Sequence, residues 1–97
     1  MTRSVGQLEL QYELSGEGAS LIQATGSVKG RGFYFRARHP QWEYEMDDDL
    51  GQSPSDVGGN SILFVRGWYS NTTDMSYEEA DRIIERCAKM YVELISF

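Results

Sequence analysis

The chain is short of the residues on which most small-protein chemistry depends. Its 97 residues include one cysteine, one histidine and two prolines. One cysteine cannot form an internal disulfide, and a zinc site needs several Cys or His ligands, so we expect neither. Cys87 lies within an apolar pattern that predicts a buried thiol, and His39 has no identifiable partner for nucleophilic catalysis. These absences predict a protein that is not an enzyme and holds no cofactor or metal.

The chain also lacks long apolar runs and an excess of positive charge. No run approaches the ~20 residues that span a bilayer, and the first residues lack the apolar region of a secretory signal, so we expect a cytoplasmic protein. Acidic residues number 15 and basic residues 9, which gives a net charge of −6. That charge disfavours direct binding to nucleic acid or anionic membrane and favours protein partners with a basic surface.

The strongest structural signal is the segment 32–46, GFYFRARHPQWEYEM. A reversal at His39-Pro40 would place apolar residues opposite each other on one face and opposite charges on the other, which is how antiparallel strands fix their register. The predicted pairs are Ala37 with Trp42, Arg36 with Glu43, Phe35 with Tyr44, Tyr34 with Glu45, and Phe33 with Met46.

Further strands are predicted on both sides of this hairpin. Strict alternation from Gln7 to Leu14 indicates a strand with one wet face, and Ser20 to Val28 indicates another. The apolar run from Ile62 to Tyr69 favours a fifth, more buried strand. Residues 50–61, rich in Gly, Ser and Asp, predict a flexible loop.

A single C-terminal helix completes the predicted fold. Ser76 and Glu79 form a capping box, and Glu78 with Arg82 and Glu85 with Lys89 are spaced for ion pairs. The expected fold is therefore one α+β domain over residues 1–97, an antiparallel meander of about five strands with the helix packed on one face. The apolar stripe of the helix comprises Ala80, Ile83, Ile84, Cys87, Met90, Tyr91 and Leu94.

One helix is too narrow to cover such a sheet. Five strands ~4.8 Å apart make a sheet some ~20 Å wide, whereas a helix with its side chains is ~10–12 Å across. The rest of the apolar face must be hidden by sheet curl, by the loop at 50–61 or by a second protein molecule. Residues expected in that uncovered part include Trp42, Tyr44, Trp68 and Tyr69.

Acidic residues form a candidate contact surface. Glu43, Glu45 and Asp47 alternate along one predicted strand, and three further aspartates extend the line. Such a line can occupy a basic groove, because Arg and Lys clusters bind carboxylates as well as phosphates. In general, an acidic run of this kind is more often a solvated face that keeps a small protein soluble. The candidate partner-binding residues are Glu43, Glu45, Asp47, Asp48, Asp49 and Asp56, with the aromatic residues Tyr34, Trp42 and Trp68.

In its small size, its acidity and its lack of a catalytic set, the chain resembles the small acidic inhibitors encoded by bacteriophages and mobile elements, including anti-CRISPR proteins. The resemblance implies a non-enzymatic inhibitor that occupies a basic, nucleic-acid-binding surface of a larger complex. Two alternatives are open. One is a structural or regulatory homodimer joined through the uncovered apolar face, and the other is a small-ligand or metal-binding module that uses the loop at 50–61.

Overall fold

The computed structural model describes residues 2–16, 21–47, 61–69 and 75–95 of the chain. It is an α+β fold in which six antiparallel strands form one sheet in meander order, with each strand beside the next in sequence. The α+β meander is confirmed, with six strands where about five were predicted. In chain order the elements are β1 (Thr2–Val5), a 3-10 helix (Gly6–Leu8), β2 (Leu10–Ser15), β3 (Ile22–Val28), β4 (Arg31–Arg38), β5 (Gln41–Asp47), β6 (Ser61–Trp68) and α1 (Tyr77–Ile95).

The first strand is the one that the sequence pattern missed. The strand predicted from Gln7 begins only at Leu10, because the 3-10 turn and Glu9, at a left-handed φ of 50°, reverse the chain just before it. The preceding segment TRSV then pairs with β2 from Thr2 opposite Glu13 to Val5 opposite Leu10. Four residues are too few to display an alternating pattern, so their pairing follows from the strong strand beside them.

The central hairpin of β4 and β5 has the register that its residues predict. All five predicted pairs are present, and Arg38 opposite Gln41 extends the ladder to the turn at His39-Pro40. The turn between β3 and β4 is a tight one. It consists of Lys29 and Gly30 alone, both at positive φ, which is the geometry that suits the twist of a two-residue hairpin.

The last strand, β6, lies at an edge of the sheet, because a meander places its final strand outermost. Among the described residues it pairs only with β5. The prediction that this run forms the more buried strand is therefore wrong. Leu63 and Val65 face the core and are half-buried, whereas Phe64 on the outer face and Trp68 at the end of the strand are exposed.

The helix α1 begins where its capping residue predicts. The backbone N–H of Glu79 donates to Ser76 Oγ at 3.1 Å, and Met75 just before it is buried in the core. Met90 and Leu94 are exposed, which corrects their assignment to the packed stripe. Ile95 is exposed as well, so the last turn of α1 leaves much of its apolar surface uncovered. The buried stripe of α1 is Ala80, Ile84, Cys87, Ala88 and Tyr91.

Polar side chains on β1, β2 and β4 bind side chains of α1. The Tyr12 hydroxyl on β2 donates to Asp81 Oδ1 at 2.6 Å, and Arg3 Nε on β1 lies 3.2 Å from Asp81 Oδ2. Near the other end of the helix, Arg31 Nε on β4 donates to the Tyr91 hydroxyl at 3.1 Å. Burial raises the pKa of Tyr12 well above its ordinary value, and the bond to Asp81 adds to the effect, so this hydroxyl keeps its proton.

The part of the chain that the structure describes also bears on two other predictions. Its helix is not long and apolar enough to cross a membrane. Most of the predicted loop, residues 50–60, lies outside the described residues, and Ser61 already belongs to β6.

Candidate binding groove at the β6 edge

The acidic line is partly neutralised where the structure describes it. Glu43 lies on the outer face of β5 between two cations, with Arg36 Nε at 3.9 Å and Arg66 Nη2 at 3.4 Å from its carboxylate oxygens. Glu45 is half-buried and stands between Tyr34 and Phe64 in the register. The Asp47 backbone ends β5, but its side chain and the residues Asp48, Asp49 and Asp56 lie outside the described part.

The predicted aromatic contact residues occupy three different environments. Tyr34 is half-buried on the outer face, where its hydroxyl donates to Gln23 Oε1 at 3.1 Å. Trp42 is half-buried on the core face, and Trp68 at the end of β6 is 71% exposed. The structure therefore brings two of the three, Trp42 and Trp68, to the same end of the sheet.

The Trp42 indole lies directly over Gly67, its cross-strand partner on β6. A Cβ atom at position 67 would overlap the indole ring, so only glycine fits beneath it. The other side of the ring packs toward Phe35 on β4, with the ring centroids 6.3 Å apart. An aromatic ring over a glycine near a sheet edge replaces the missing side-chain packing and holds the ring in place.

An open groove of about 570 Å³ runs between this end of the sheet and the N-terminal half of α1. The groove lies over a part of the sheet that the helix leaves uncovered, as expected from a helix narrower than the sheet. Of the residues expected there, Tyr44 is fully buried and Tyr69 nearly so, which leaves the two tryptophans accessible. We call this space the aromatic–arginine groove, and its walls are formed by Trp42, Gly67, Trp68 and Tyr69 from the sheet and Glu79, Arg82, Ile83 and Arg86 from the helix.

The two groove arginines have no carboxylate partner among the residues that the structure describes. The ion pairs predicted for Glu78 with Arg82 and for Glu85 with Lys89 are absent, because no carboxylate in the described ranges lies within 4.0 Å of these cations. Arg82 and Arg86 are one turn apart on exposed positions of α1. Like charges at this spacing repel each other, so an anion between them would be favourable.

The chemistry of the remaining candidates is limited. Cys87 is buried, and burial raises the pKa of its thiol to about 12 although the nearby Arg86 acts in the opposite direction, so the thiolate nucleophile is scarce near neutral pH. His39 is exposed at the hairpin tip, where its ring packs edge-on against Tyr69 at 5.1 Å between centroids. Within the described ranges no three His, Cys, Asp or Glu side chains are grouped for metal binding.

The fold and the groove together define the class of this molecule: a small α+β meander protein with one open aromatic–arginine groove beside an edge strand. No protein-family model, curated protein or solved structure matches the chain. Sequence reasoning found Trp42 and Trp68 but missed Gly67, Arg82 and Arg86. The glycine inside an otherwise apolar strand was the available signal, since such a glycine marks a close approach.

Proposed function

We propose that the chain is a non-enzymatic protein-binding protein whose contact site is the aromatic–arginine groove. Its occupant is a segment of a partner protein that places an apolar side chain next to a carboxylate. The observation that carries this proposal is the meeting of two accessible tryptophans with two arginines that have no carboxylate partner in the described part of the chain.

The aromatic wall supports an apolar anchor. Trp68 is 71% exposed on a strand that ends at the groove, and the half-buried Trp42 is held flat over Gly67. Large exposed aromatic side chains are unusual on a surface with no partner, and Trp is enriched among the residues that dominate binding energy. A rigid indole also loses little conformational freedom when a partner covers it.

The arginine pair supports a carboxylate beside that anchor. A guanidinium group binds carboxylates and phosphates through two parallel hydrogen bonds, so Arg82 and Arg86 can bind either group. Binding along a nucleic acid strand needs many phosphate contacts, and the groove offers two cations beside the carboxylate of Glu79, on a chain whose net charge is −6. A single carboxylate is favoured, because acidic residues of the chain more than about 8 Å from the two arginines are largely screened at physiological ionic strength and repel it only weakly.

The inhibitor of the anti-CRISPR type is a second candidate, favoured by the net charge of −6. It depends on Asp48, Asp49 and Asp56, because Glu43 is already paired with two arginines in the described part. Changing Asp47, Asp48 and Asp49 to Lys should then weaken binding to a basic partner by tens of fold, measured in pull-downs from bacterial lysate at low and high salt. Unchanged retention of the partner would remove this candidate.

A randomised peptide library tests the groove directly. Panning on the wild-type protein should enrich sequences with an apolar or aromatic residue next to Asp or Glu. The double variant Arg82→Glu with Arg86→Glu should lose this enrichment, because a carboxylate would meet two like charges. The matched control is Arg38→Glu with Lys89→Glu, which changes the net charge equally at exposed positions outside the groove.

The fluorescence of the two tryptophans gives an independent measurement of peptide binding to the groove. They are the only tryptophans of the chain and both line the groove, so intrinsic fluorescence reports on this site alone. An enriched peptide should change the fluorescence of the wild type and of the control variant, and should leave the Arg82→Glu, Arg86→Glu variant unchanged. Equal enrichment on all three proteins, or no enrichment on the wild type, would refute the proposed site.

A further inference from the structure

A second surface lies beside the groove, on the outer edge of β6. In the register of the sheet Gln41 faces Trp68, so Pro40 faces Tyr69, and the Tyr69 N–H donates to the Pro40 carbonyl at 2.9 Å. Backbone groups alternate in direction along an antiparallel strand, so the odd residues 63, 65 and 67 point toward β5. The backbone N–H and C=O groups of Phe64 and Arg66 therefore point away from the sheet.

A register shift opposite Met46 and Asp47 interrupts the pairing of β6 near Ser61, but from Leu63 to Trp68 this edge lacks the features by which sheets usually prevent pairing. Exposed edge strands carry lysines, prolines or inward-pointing charges, or are very short. β6 has eight residues, contains no proline or lysine, and has Arg66 as its one charged residue. Among the described residues no strand lies on its outer side. An edge of this kind is suited to receive another strand.

We propose that the occupant of this edge is β6 of a second copy of the chain, in an antiparallel register centred on Val65. A two-fold axis at Val65 places Phe64 of one copy opposite Arg66 of the other, twice, and Leu63 opposite Gly67, twice. The outward-pointing residues Phe64 and Arg66 then form the hydrogen-bonded pairs, which supply about four bonds between the copies. The inference goes beyond the proposed groove and does not depend on it.

Complementarity on the outer face supports this register. Within one chain the Arg66 guanidinium already lies over the Phe64 ring, with Cζ 5.4 Å from the ring centroid. The paired register gives each guanidinium a second ring from the other copy and leaves its contact with Glu43 in place. A shift of two residues that placed Arg66 opposite Arg66 would set like charges against each other.

The core face of the strand is compatible with the same register. Leu63 and Val65 are half-buried in one chain, so part of their apolar surface is still open to cover. Val65 would meet Val65, and Leu63 would lie opposite Gly67, which carries no side chain of its own. The groove residue Trp68 lies three residues from the axis, ~10 Å along the strand, so the two grooves fall on opposite sides of the axis.

Sedimentation equilibrium from micromolar to near-millimolar protein tests the association. The mass should rise from the 11.0 kDa of the chain toward twice that value. High salt should leave the association unchanged or strengthen it, because it screens the repulsion between two chains of net charge −6. Monomer mass at every concentration would overturn the proposal, and a partner captured by such a monomer would leave the proposed function intact.

Four variants identify the interface. Phe64→Arg places like charges opposite each other twice and should weaken association at least tenfold, and the swap of Phe64→Arg with Arg66→Phe should restore it. Arg66→Pro removes one outward N–H from each copy and should also weaken association, whereas Arg66→Ala keeps that N–H and is the matched control. A dimer that withstands both Phe64→Arg and Arg66→Pro, with each variant folded by circular dichroism, uses another interface and refutes this one.

Amide hydrogen exchange gives a reading that does not depend on variants. In the dimer the N–H groups of Phe64 and Arg66 should exchange slowly, and dilution to monomer should speed their exchange. The N–H groups of residues 63, 65 and 67 bond to β5 and should be protected at both concentrations. Fast exchange at Phe64 and Arg66 in concentrated protein would contradict the pairing.

Discussion

The two halves of the sheet are held in different ways. On the side of β1 to β4, side chains of Arg3, Tyr12 and Arg31 reach α1 and bind Asp81 or Tyr91. On the side of β5 and β6, the space between sheet and helix is the open groove, and Phe64 and Trp68 face solvent. We call the first the anchored half and the second the open half.

The difference shows that, in a small domain, the contacts that stabilise the fold and the surfaces suited to binding a partner can occupy different halves. One helix covers about half the width of such a sheet, so fastening it toward one side leaves the other side uncovered. The anchored half holds the hydrogen bonds and ion pair between sheet and helix. The open half holds the accessible aromatic residues, two arginines with no carboxylate partner among the described residues, and the outermost of the described strands, which are features that partners use.

The largest expected contrast uses one chemical change in both halves. Phe35→Ala removes a ring that is 0% exposed beneath the helix and should lower the free energy of unfolding by about 3–5 kcal/mol. Phe64→Ala removes a ring that is 46% exposed on the outer face and should lower it by less than about 1 kcal/mol. Urea unfolding of the two variants at one protein concentration measures both values, and equal losses would contradict the division.

Two glycines provide a second contrast. A Cβ at Gly26 would overlap the backbone oxygen of Gln11, which cannot move without breaking the sheet, whereas a Cβ at Gly67 would meet the Trp42 indole. Overpacking costs about 1–3 kcal/mol and occasionally more, so Gly26→Ala should lie at the upper end and Gly67→Ala at the lower end. The latter should also shift Trp42 fluorescence to longer wavelength, as the ring turns into the groove. A larger loss of unfolding free energy for Gly67→Ala than for Gly26→Ala would contradict this expectation.

The sequence predicted the parts of the molecule that depend on near neighbours. The pairs between β4 and β5 follow from complementary residues a few positions apart, and the start of α1 follows from Ser76 and Glu79. Each of these signals combines several independent preferences within one short segment. For this reason the register of the hairpin could be predicted residue by residue.

The groove and the edge could not be predicted in the same way. Arg82 and Arg86 have the spacing of ordinary solvated charges, and only the position of α1 over the sheet brings them to Trp42. The edge position of β6 is a property of strand order, which an apolar run does not reveal. Apolar residues on both faces of that run resemble a buried strand, and here one face meets the core, while Phe64 on the other face and Trp68 at the end of the strand are exposed to solvent.

Cys87 lies in the closed interior, whereas its neighbour Arg86 lines the open groove. Alkaline pH should lower the part of the stability that depends on the buried thiol. The thiol of Cys87 has a folded-state pKa of about 12, above the ordinary value, because burial disfavours the thiolate. Its contribution to stability is present below the unfolded-state pKa and is lost as pH rises toward the folded one. The free energy of unfolding should fall by about 1–2 kcal/mol between about pH 8 and pH 10.

The control for this titration is Cys87→Ala, because other buried hydroxyls of the core act in the same direction at high pH. Urea unfolding of the variant should show a shallower loss over the same range. A thiol reagent should leave native Cys87 unmodified and react with it once urea unfolds the chain. Identical slopes for variant and wild type would show that Cys87 does not carry the effect.

The smallest effect is expected from two tyrosine hydroxyls, one on β5 and one on α1. Tyr44 is 0% exposed, and its hydroxyl has no hydrogen-bond partner within the described residues, whereas the Tyr91 hydroxyl accepts from Arg31 Nε. An unbonded buried hydroxyl costs free energy, and burial raises the pKa of Tyr44, so the group stays neutral. Tyr44→Phe should therefore be neutral or stabilise the fold by up to about 1 kcal/mol.

Tyr91→Phe is the matched change with a bond to lose, and it should cost about 1 kcal/mol because Arg31 then loses its acceptor. If the two variants change the free energy of unfolding in opposite directions, the stabilising polar contact is the hydrogen bond between α1 and β4. If Tyr44→Phe instead destabilises the protein more than Tyr91→Phe, the Tyr44 hydroxyl has a partner that the described residues do not supply, and the interior near β5 is less apolar than its lining indicates.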